Sequence, residues 1–470
     1  MTVVRIVNII PAERSEETNL DWQPSIAVNA ANPNEMAIVA LTPPDLATEK
    51  WPIFYSADGG ETWQMNFNLP GEFWDQSVGF CTSGELYRAI ATGAEIGSNG
   101  VRTVLSTPEM YIVRTANPSS ASPLPRYDLR TGIDQPFVNA ITLVGLPNKD
   151  QLYVGYNDHS HLPKSATVDL CLDALTTSPT FGRVRLDPRS PKPMDGYEVR
   201  PVAHLDGTVY VAYKSWRSYD GTTVTTDVVV ARDDSGGTGG FTDLKDPGDL
   251  KDGRRVATEV LILDPQYLGE QRLDNDLDIA VDPTNSQTLY IVWGDNAGPN
   301  YTLRVRRSLD AGATWTGDLL TISNADLACL AINSDGRVGF MYQQLVSNLW
   351  ETHFRRTTDS TGENWDDLIL ARTNTAGMFA DYGRVIAVGK DFYGVFPAWN
   401  TPNPANFPST PPTSSNPNGA KFLRNTTKNA PWQLLGGTGQ TILGSVDPFF
   451  YMVQDDGKPN PPTDLDGSVE

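Results

Sequence analysis

The sequence has few cysteines, few basic residues and no long hydrophobic run. Its three cysteines, Cys81, Cys171 and Cys329, are too scattered among 470 residues for a disulfide framework. Each lies in an apolar, strand-like segment, so we predict buried free thiols. No apolar stretch approaches the ~20 residues that a membrane-spanning helix requires, and insertion into a membrane is therefore not expected.

Acidic residues outnumber basic ones. The chain has 57 aspartates and glutamates against 36 lysines and arginines, which gives a formal net charge of −21. No local cluster of basic residues offsets this charge, so we expect no nucleic-acid partner, because the chain repels phosphates and anionic lipids. Cations and cationic partners are favoured instead. The simpler interpretation is that acidity only keeps the protein soluble.

The first residues, MTVVRIVNIIPAERSEE, lack the basic start, long apolar stretch and small-residue cleavage site of a signal peptide. A processed chain would look the same. The sequence therefore leaves open a cytoplasmic protein and a processed or leaderless extracellular one. We predict no organic cofactor, and the sequence does not indicate the number of subunits.

Short apolar runs fill the rest of the chain, and a pair of them recurs along it. With 40 glycines and 35 prolines between such runs, the pattern is typical of strands joined by turns. The first pair is PSIAV with EMAIVAL, and a later one is NDLDIAV with TLYIVW. Alignment of the first strands gives seven units, spaced 51 to 76 residues apart, with one residue of each in a column: Pro24, Ser77, Pro136, Pro201, Leu277, Ala328 and Gly383.

Seven similar units of four antiparallel strands predict an all-β fold, a seven-bladed β-propeller. Radial repetition of this kind removes the exposed edges that an open sheet would have. We expect one propeller over residues 1–455, with blades that begin near residues 21, 74, 133, 198, 274, 325 and 380, and a polar tail over 456–470. The N-terminal TVVRIVNII and the segment from Leu443 to Gln454 are candidates for the strands that close the ring.

One turn occurs twice almost unchanged, as YSADGGETWQ over 55–64 and RSLDAGATWT over 307–316. Both copies resemble the Asp-box, S-x-D-x-G-x-T-W, of the sialidase-like, or BNR-repeat, propellers. In that family the box joins the third and fourth strands on the outer rim, so the resemblance implies a structural role. Weaker copies are TTDSTGENW, ARDDSGG and NTTKNAPW. The full matches are Ser56, Asp58, Gly60, Thr62 and Trp63, and Ser308, Asp310, Gly312, Thr314 and Trp315.

Every unit has an acidic residue at or beside the position two before the aligned column. These residues are Asp21, Asp75, Asp134, Glu198, Asp274 or Asp276, Asp326 and Asp381. One interpretation is that each carboxylate caps backbone amides within its own blade. The other is that several converge at the axis and hold a hard cation such as Ca²⁺, which takes about six to eight oxygen ligands. The candidate metal ligands are Asp274, Asp276 and Asp295.

The resemblance to sialidases does not extend to their site. Enzymes of that family are expected to hold a substrate carboxylate with three arginines, the first within F/Y-R-I-P, but the matching strand here is Asp21-Trp22-Gln23-Pro24. Residues of suitable types lie near other inner-strand starts, namely Arg200, Arg272, Arg384 and Tyr382. A ring of acids would oppose an anionic sugar there, so we expect no sialidase activity. The candidate ligand-binding residues on the axial face are Trp22, Gln23, Asp75, Asp134, Arg200, Asp326, Asp381 and Tyr382.

Three classes of function remain open. The first choice is a recognition module that binds a carbohydrate or protein ligand at the axial face, with or without Ca²⁺. Tryptophans such as Trp22, Trp74 and Trp216 would suit sugars as stacking surfaces, although packing between blades is an alternative for Trp293. The second is a glycoside hydrolase or lyase that uses two axial carboxylates. The third is an architectural subunit of a larger assembly.

Overall fold

Strands make up the regular structure in the described part of the chain. The structure, a computed structural model, describes residues 2–10, 21–42, 50–70, 72–96, 102–120, 124–145, 149–161, 165–190, 198–263, 267–268, 271–272, 276–296, 300–359, 361–373, 382–399, 421–424 and 446–455. These residues include no helix with the length and apolar character to cross a membrane. The predicted polar tail and most of the Pro-rich segment after Trp399 lie outside the described residues.

The predicted seven-bladed β-propeller is confirmed. Six blades are antiparallel sheets of four sequential strands. Blade 1 contains β2 (Trp22–Val28), β3 (Met36–Leu41), β4 (Lys50–Ser56) and β5 (Gln64–Pro70). Blade 2 contains β6 (Glu72–Phe80), β7 (Leu86–Ile96), β8 (Arg102–Thr115) and β9 (Arg126–Thr131). Blade 3 contains β10 (Ile133–Thr142), β11 (Asp150–Asp158), β12 (Ser165–Cys171) and β13 (Gly182–Arg185).

The second half of the ring repeats this plan. Blade 4 contains β14 (Arg200–Ala203), β15 (Val209–Tyr219), β16 (Thr223–Asp233) and β17 (Arg254–Leu263). A small hairpin, β18 (Tyr267–Leu268) with β19 (Gln271–Arg272), follows it. Blade 5 contains β20 (Asp278–Asp282), β21 (Asn285–Asp295), β22 (Thr302–Ser308) and β23 (Leu320–Ser323). Blade 6 contains β24 (Ala325–Ile332), β25 (Val338–Val346), β26 (Leu349–Thr357) and β27 (Trp365–Thr373).

Blade 7 joins the two ends of the chain. Its order is β28 (Arg384–Val388), β29 (Asp391–Trp399), β31 (Val446–Gln454) and then β1 (Thr2–Asn8), which pairs antiparallel with β31. A short strand, β30 (Lys421–Arg424), lies parallel to β1 at the outer edge. The Asn8 side chain donates a 2.6 Å hydrogen bond to Asp447 in the buried part of this junction. The ring is thus closed by strands from both ends of the chain.

The first strand of each blade is innermost, and its start defines the axial face of the propeller. Loops from second to third strands lie on the same face, whereas loops from first to second and from third to fourth strands lie on the opposite face. In four blades the start of the inner strand is bulged, because its pairing with the second strand skips two residues. A bulge re-aims side chains locally, so residues at these starts do not follow simple strand alternation.

Apolar contacts between neighbouring blades form the core. Phe354 of blade 6 packs on Phe392 and Tyr451 of blade 7, with ring centroids 5.3 and 5.8 Å apart. A side chain is not tolerated beside them at position 339, since a Cβ on Gly339 would lie 2.6 Å from the Phe392 ring. Cys81, Cys171 and Cys329 are buried free thiols, as predicted.

The two repeated turns have the same hydrogen bonds. In the first, Ser56 Oγ accepts from the Gly60 amide at 2.9 Å, and the Asp58 carboxylate accepts from the amide and hydroxyl of Thr62 at 2.9 and 2.7 Å. The second turn reproduces this arrangement at Ser308, Asp310, Gly312 and Thr314. Gly60 has φ +81°, which explains the glycine. Both turns connect third and fourth strands, away from the axial face.

The tryptophans of these turns pack into or against apolar clusters that neighbouring blades share. Trp63 is 3% exposed, and its ring lies 5.2 Å from that of Phe450 in blade 7. Trp315 Nε1 donates to the Gly312 carbonyl at 3.1 Å, and Trp365 in a weaker copy does the same to Gly362 at 3.0 Å. The turns therefore stabilise the ring. The copy at 425–432 lies outside the described residues.

Replacement of Asp58 by alanine should lower the free energy of unfolding by about 1–3 kcal/mol, because the Thr62 amide and hydroxyl lose their acceptor. The melting temperature should fall by several degrees, measured by circular dichroism. Gln64→Ala, an exposed change just beyond the same turn, is the control and should melt like the wild type. Equal melting temperatures for the two variants would contradict a structural role for the turn.

Candidate functional site

Six residues from five blades meet where the inner strands surround the axis. They line a cavity of about 20 Å³, enough for one water molecule. Arg200 and Cys329 are each 5% exposed, whereas the other four side chains are half-buried. We call this group the hub cluster; it consists of Phe137, Arg200, Asp278, Cys329, Tyr382 and Arg384.

Arg384 spans the hub from blade 7. Its guanidinium donates to the Val78 carbonyl at 3.1 Å and, over longer distances, to Ser25 Oγ and the Val138 carbonyl, both at 3.5 Å. These acceptors belong to blades 1, 2 and 3, so one side chain links four blades. Burial lowers the pKa of Arg384 to about 10, against the opposing effect of Asp278, and the group keeps its charge at neutral pH.

The guanidinium groups of Arg384 and Arg200 both lie on one aromatic ring, that of Phe137. The Cζ atoms of Arg384 and Arg200 are 4.4 and 4.7 Å from the centroid of Phe137. Two like charges are tolerated here because the ring face attracts both cations and because Asp278 lies within their electrostatic reach. The hub is therefore locally cationic, although the whole chain is strongly acidic.

Asp278 is the acidic member of the hub cluster. Its carboxylate accepts from the Leu330 amide at 2.8 Å and from the Ile279 amide at 2.9 Å. Burial nevertheless raises the pKa of Asp278 from 3.8 to about 6, although the Leu330 amide, Arg200 and Arg384 favour the charged form. A carboxyl group that titrates near neutrality can give or take a proton during a reaction.

Cys329 does not share this reactivity. Burial, followed by the nearby Asp278 carboxylate, raises the pKa of the Cys329 thiol well above its usual range. Because the thiolate is the nucleophilic form, the thiol is inert at neutral pH. The hub cluster therefore offers two cationic groups, one acid and the Tyr382 hydroxyl for chemistry.

The predicted ring of axial carboxylates takes a different form. Asp326 is fully buried and accepts from the adjacent Leu327 amide at 2.8 Å, as the capping interpretation requires. Asp75 is 8% exposed and Asp21 is fully buried, whereas Asp134 is half-buried and pairs in register with Asn157. Among the described residues that line the hub cavity, the acid is Asp278, which lies one position after the aligned column. Asp381 lies outside the described residues.

Two of the predicted axial acids share a buried lysine. Lys214 Nζ lies 3.3 Å from Glu198 Oε1 and forms a short contact with Asp276 Oδ1, and all three side chains are at most 1% exposed. Burial alone would lower the pKa of Lys214, but Asp276 and Glu198 outweigh it and raise the pKa. A protein cation thus occupies the position where the sequence suggested a metal ion.

The two candidate metal ligands in the described part of the chain, Asp276 and Asp295, do not converge. Asp276 Oδ2 would lie 2.0 Å from a Cβ on Gly294, and successive side chains on a strand point to opposite faces, so Asp295 points away from Asp276. Asp295 instead bonds Arg304 at 3.2 Å and lines a groove of about 420 Å³ between blades 4 and 5. Asp274 lies outside the described residues, which contain no group of three metal-ligating side chains suited to an ion. Calcium binding stays a prediction.

The remaining candidates lie near the hub without joining it. Trp22 and Gln23 are half-buried at the start of β2, where Gln23 has φ +54° within the bulge. Arg200 and Tyr382, which the sequence suggested as ligand-binding residues, line the hub cavity together with Arg384, which was named near an inner-strand start but not chosen as a ligand-binding residue. Sequence analysis missed Phe137, Asp278 and Cys329 as site residues. Their common signal is a position directly after the aligned column, which Arg384 shares.

The chain is similar to known proteins in structure, whereas its sequence matches none of the families or curated proteins compared. An ulvan lyase of polysaccharide lyase family PL25, solved with bound -[GlcA(1-4)Rha3S]-, is similar in structure, with 10% identity and a TM-score of 0.50 over 81% of this chain and 92% of that one. At this identity the likeness shows a shared fold.

Two further similar structures are enzymes that act on carbohydrates. The α-L-arabinofuranosidase of family GH93 from Fusarium graminearum matches over 97% of this chain and 98% of its own, with 9% identity and a TM-score of 0.44. The endosialidase of phage phi92 matches over 99% of this chain and 71% of its own, with 11% identity and a TM-score of 0.43.

Proposed function

We propose that the protein is a carbohydrate-active enzyme, a glycoside hydrolase or lyase, that cleaves an acidic polysaccharide at the hub cluster. The observation that carries this proposal is the presence of two guanidiniums beside a carboxyl group with a pKa of about 6. Enzymatic cleavage therefore replaces binding alone as the favoured function. The ulvan lyase of the same fold holds a ligand that contains GlcA, an acidic sugar, which is consistent with this choice.

The axial acids oppose an anionic ligand less than their number suggests, because several of them have partners within the protein. Glu198 and Asp276 share Lys214, and Asp326 accepts from a backbone amide, so these carboxylates do not act as unpaired charges. Arg200 and Arg384 then face the hub with Asp278 as the nearby acid. Guanidinium groups suit a uronate carboxylate or a sulfate because they offer several donors in one plane.

Four side chains of the hub cluster have a chemical role in this proposal. Protonated Asp278 donates its proton to the oxygen of the leaving sugar, a step that both hydrolysis and elimination require. Arg200 and Arg384 hold the anionic group of the substrate and stabilise negative charge that develops beside it. Tyr382 takes the other proton, from C5 of the uronate in an elimination or from the attacking water in a hydrolysis, and the glycosidic C–O bond breaks as Asp278 protonates its oxygen.

The test is cleavage of a polysaccharide panel by the purified protein. Acidic substrates (ulvan, pectate, alginate and a chondroitin) should yield new reducing ends, whereas neutral arabinan should not. Ultraviolet absorbance of an unsaturated uronate would identify a lyase, and reducing ends without it a hydrolase. Absence of cleavage across the acidic substrates would contradict the proposal, and binding without cleavage would favour a recognition module.

We also propose that the chain is a distant member of the sialidase-like propellers and that its repeated turns are Asp-boxes. The hydrogen bonds of Ser56, Asp58 and Thr62 support this, as does their repetition in blade 5. A Ca²⁺ ion remains an accessory proposal. A melting temperature lowered by chelator would support it, and an unchanged one would oppose it.

A further inference from the structure

Exposed apolar side chains are sorted between the two faces of the propeller. Among the described residues, the large exposed hydrophobic side chains on the axial face are aromatic: Trp74, 45% exposed, and Tyr219, 40% exposed. Those on the opposite face are aliphatic, and they lie in loops from first to second or third to fourth strands. These residues are Val144, Leu205, Leu250 and Leu309. Among the described residues, the most exposed apolar side chains of the axial face are thus aromatic.

Trp74 packs against a glycine at a bulge in its blade. The pairing of β6 with β7 skips Trp74 and Asp75 between Phe73 and Gln76, and this bulge turns the indole out of the sheet. The ring then lies against Gly93 on β7, where a Cβ would be 2.0 Å from Trp74 Cζ2 and 2.3 Å from Cε2. The missing side chain at position 93 lets the ring approach the backbone and leaves its other face exposed.

The chemistry of this surface fits a sugar ring. Aromatic faces stack on the C–H groups of pyranoses, and the exposed indole of Trp74 offers such a face. Trp74 also lies on the face from which the hub cluster is reached.

We propose that Trp74, seated on Gly93, is a stacking subsite that binds a sugar unit of the polysaccharide chain away from the cleaved bond. Tyr219, at the end of β15 in blade 4, supplies a second platform on the same face. This inference rests on the proposed function for its ligand class. The subsite contributes to the affinity for the sugar chain and not to the cleavage step. The subsite and the proposed cleavage can therefore be disproved separately.

The test measures oligosaccharide affinity in the Asp278→Asn background, so that cleavage does not consume the ligand. Ulvan and pectate oligosaccharides of six or more sugars are titrated by calorimetry. Trp74→Ala should weaken the affinity about tenfold, which corresponds to loss of one stacked ring, and Trp74→Phe should weaken it less. Gly93→Ala should weaken it as well, because the new methyl group displaces the ring while the tryptophan remains.

Leu309→Ala is the matched control, since it removes a 57%-exposed side chain from the opposite face, and its affinity should equal that of the background. Unchanged affinity in both Trp74→Ala and Gly93→Ala overturns the subsite, as does failure of every oligosaccharide to bind. Weakened binding by these variants in a protein that does not cleave would leave the subsite standing and remove the enzymatic proposal.

Discussion

Replacement of Asp278 by asparagine should lower kcat for polysaccharide cleavage by at least ~100-fold, because the amide cannot donate the proton that the leaving sugar needs. The side chain keeps its shape. An amide nitrogen in place of one carboxylate oxygen weakens the contact to the Leu330 or Ile279 amide but leaves the hub filled. KM should change little, since Arg200 and Arg384 still hold the anionic group. Reducing-end kinetics on the best substrate of the panel measures both constants.

The pH profile gives this prediction a second signature. With a folded pKa of about 6, Asp278 loses its proton above that pH, so kcat of the wild type should fall roughly tenfold per unit on the alkaline side. The residual activity of Asp278→Asn should not show this alkaline fall in kcat. Asp335→Asn, a change of an exposed acid on the opposite face, should keep the wild-type profile.

The raised pKa of Asp278 also predicts how the stability of the fold depends on pH. Because the folded pKa of Asp278 lies above its usual 3.8, the group stabilises the fold most at low pH, and this contribution is lost as pH rises from about 4 through 6. The Asp278→Asn variant does not lose stability in this way, because asparagine does not titrate. Relative to the wild type, the variant should therefore gain on the order of 2 kcal/mol between pH 4 and 7. Parallel stability curves would contradict the raised pKa.

Replacement of Lys214 by methionine should destabilise the protein by about 3–5 kcal/mol, because Glu198 and Asp276 would be left as buried charges without a cation. All three side chains are at most 1% exposed, so water cannot take the place of the ammonium group. Denaturant unfolding followed by tryptophan fluorescence measures the loss. Lys390→Met, which removes an exposed lysine paired with Asp335, should unfold like the wild type.

Neutralisation of the partners should rescue the Lys214 variant. Glu198→Gln and Asp276→Asn together with Lys214→Met leave no buried charge at this position, and most of the lost stability should return. If Lys214→Met is as mild as Lys390→Met, the three side chains do not form a buried charge network.

The fold was predictable because its signal is local and repeated. Each blade places two apolar strands before a turn, and the aligned column falls within the inner strand or directly before it in every blade. The role of the repeated turn was predictable for the same reason, since Ser56, Asp58, Gly60 and Thr62 bond among themselves within seven residues.

The site was less predictable because its partners are distant in sequence. Lys214 neutralises Asp276 from 62 residues away, and Arg384 reaches Val78 across 306 residues. Formal charges counted along the chain therefore suggested a hub of carboxylates, whereas the folded hub is cationic around Asp278. The burial that raises the Asp278 pKa arises only when the ring closes.

Cleavage at the hub is best tested by the structure of Asp278→Asn with a bound acidic oligosaccharide. We expect a carboxylate or sulfate of the ligand beside Arg200 and Arg384, with a neighbouring sugar ring on Trp74. A ligand bound in the groove between blades 4 and 5, or on the opposite face with the hub unoccupied, would contradict it.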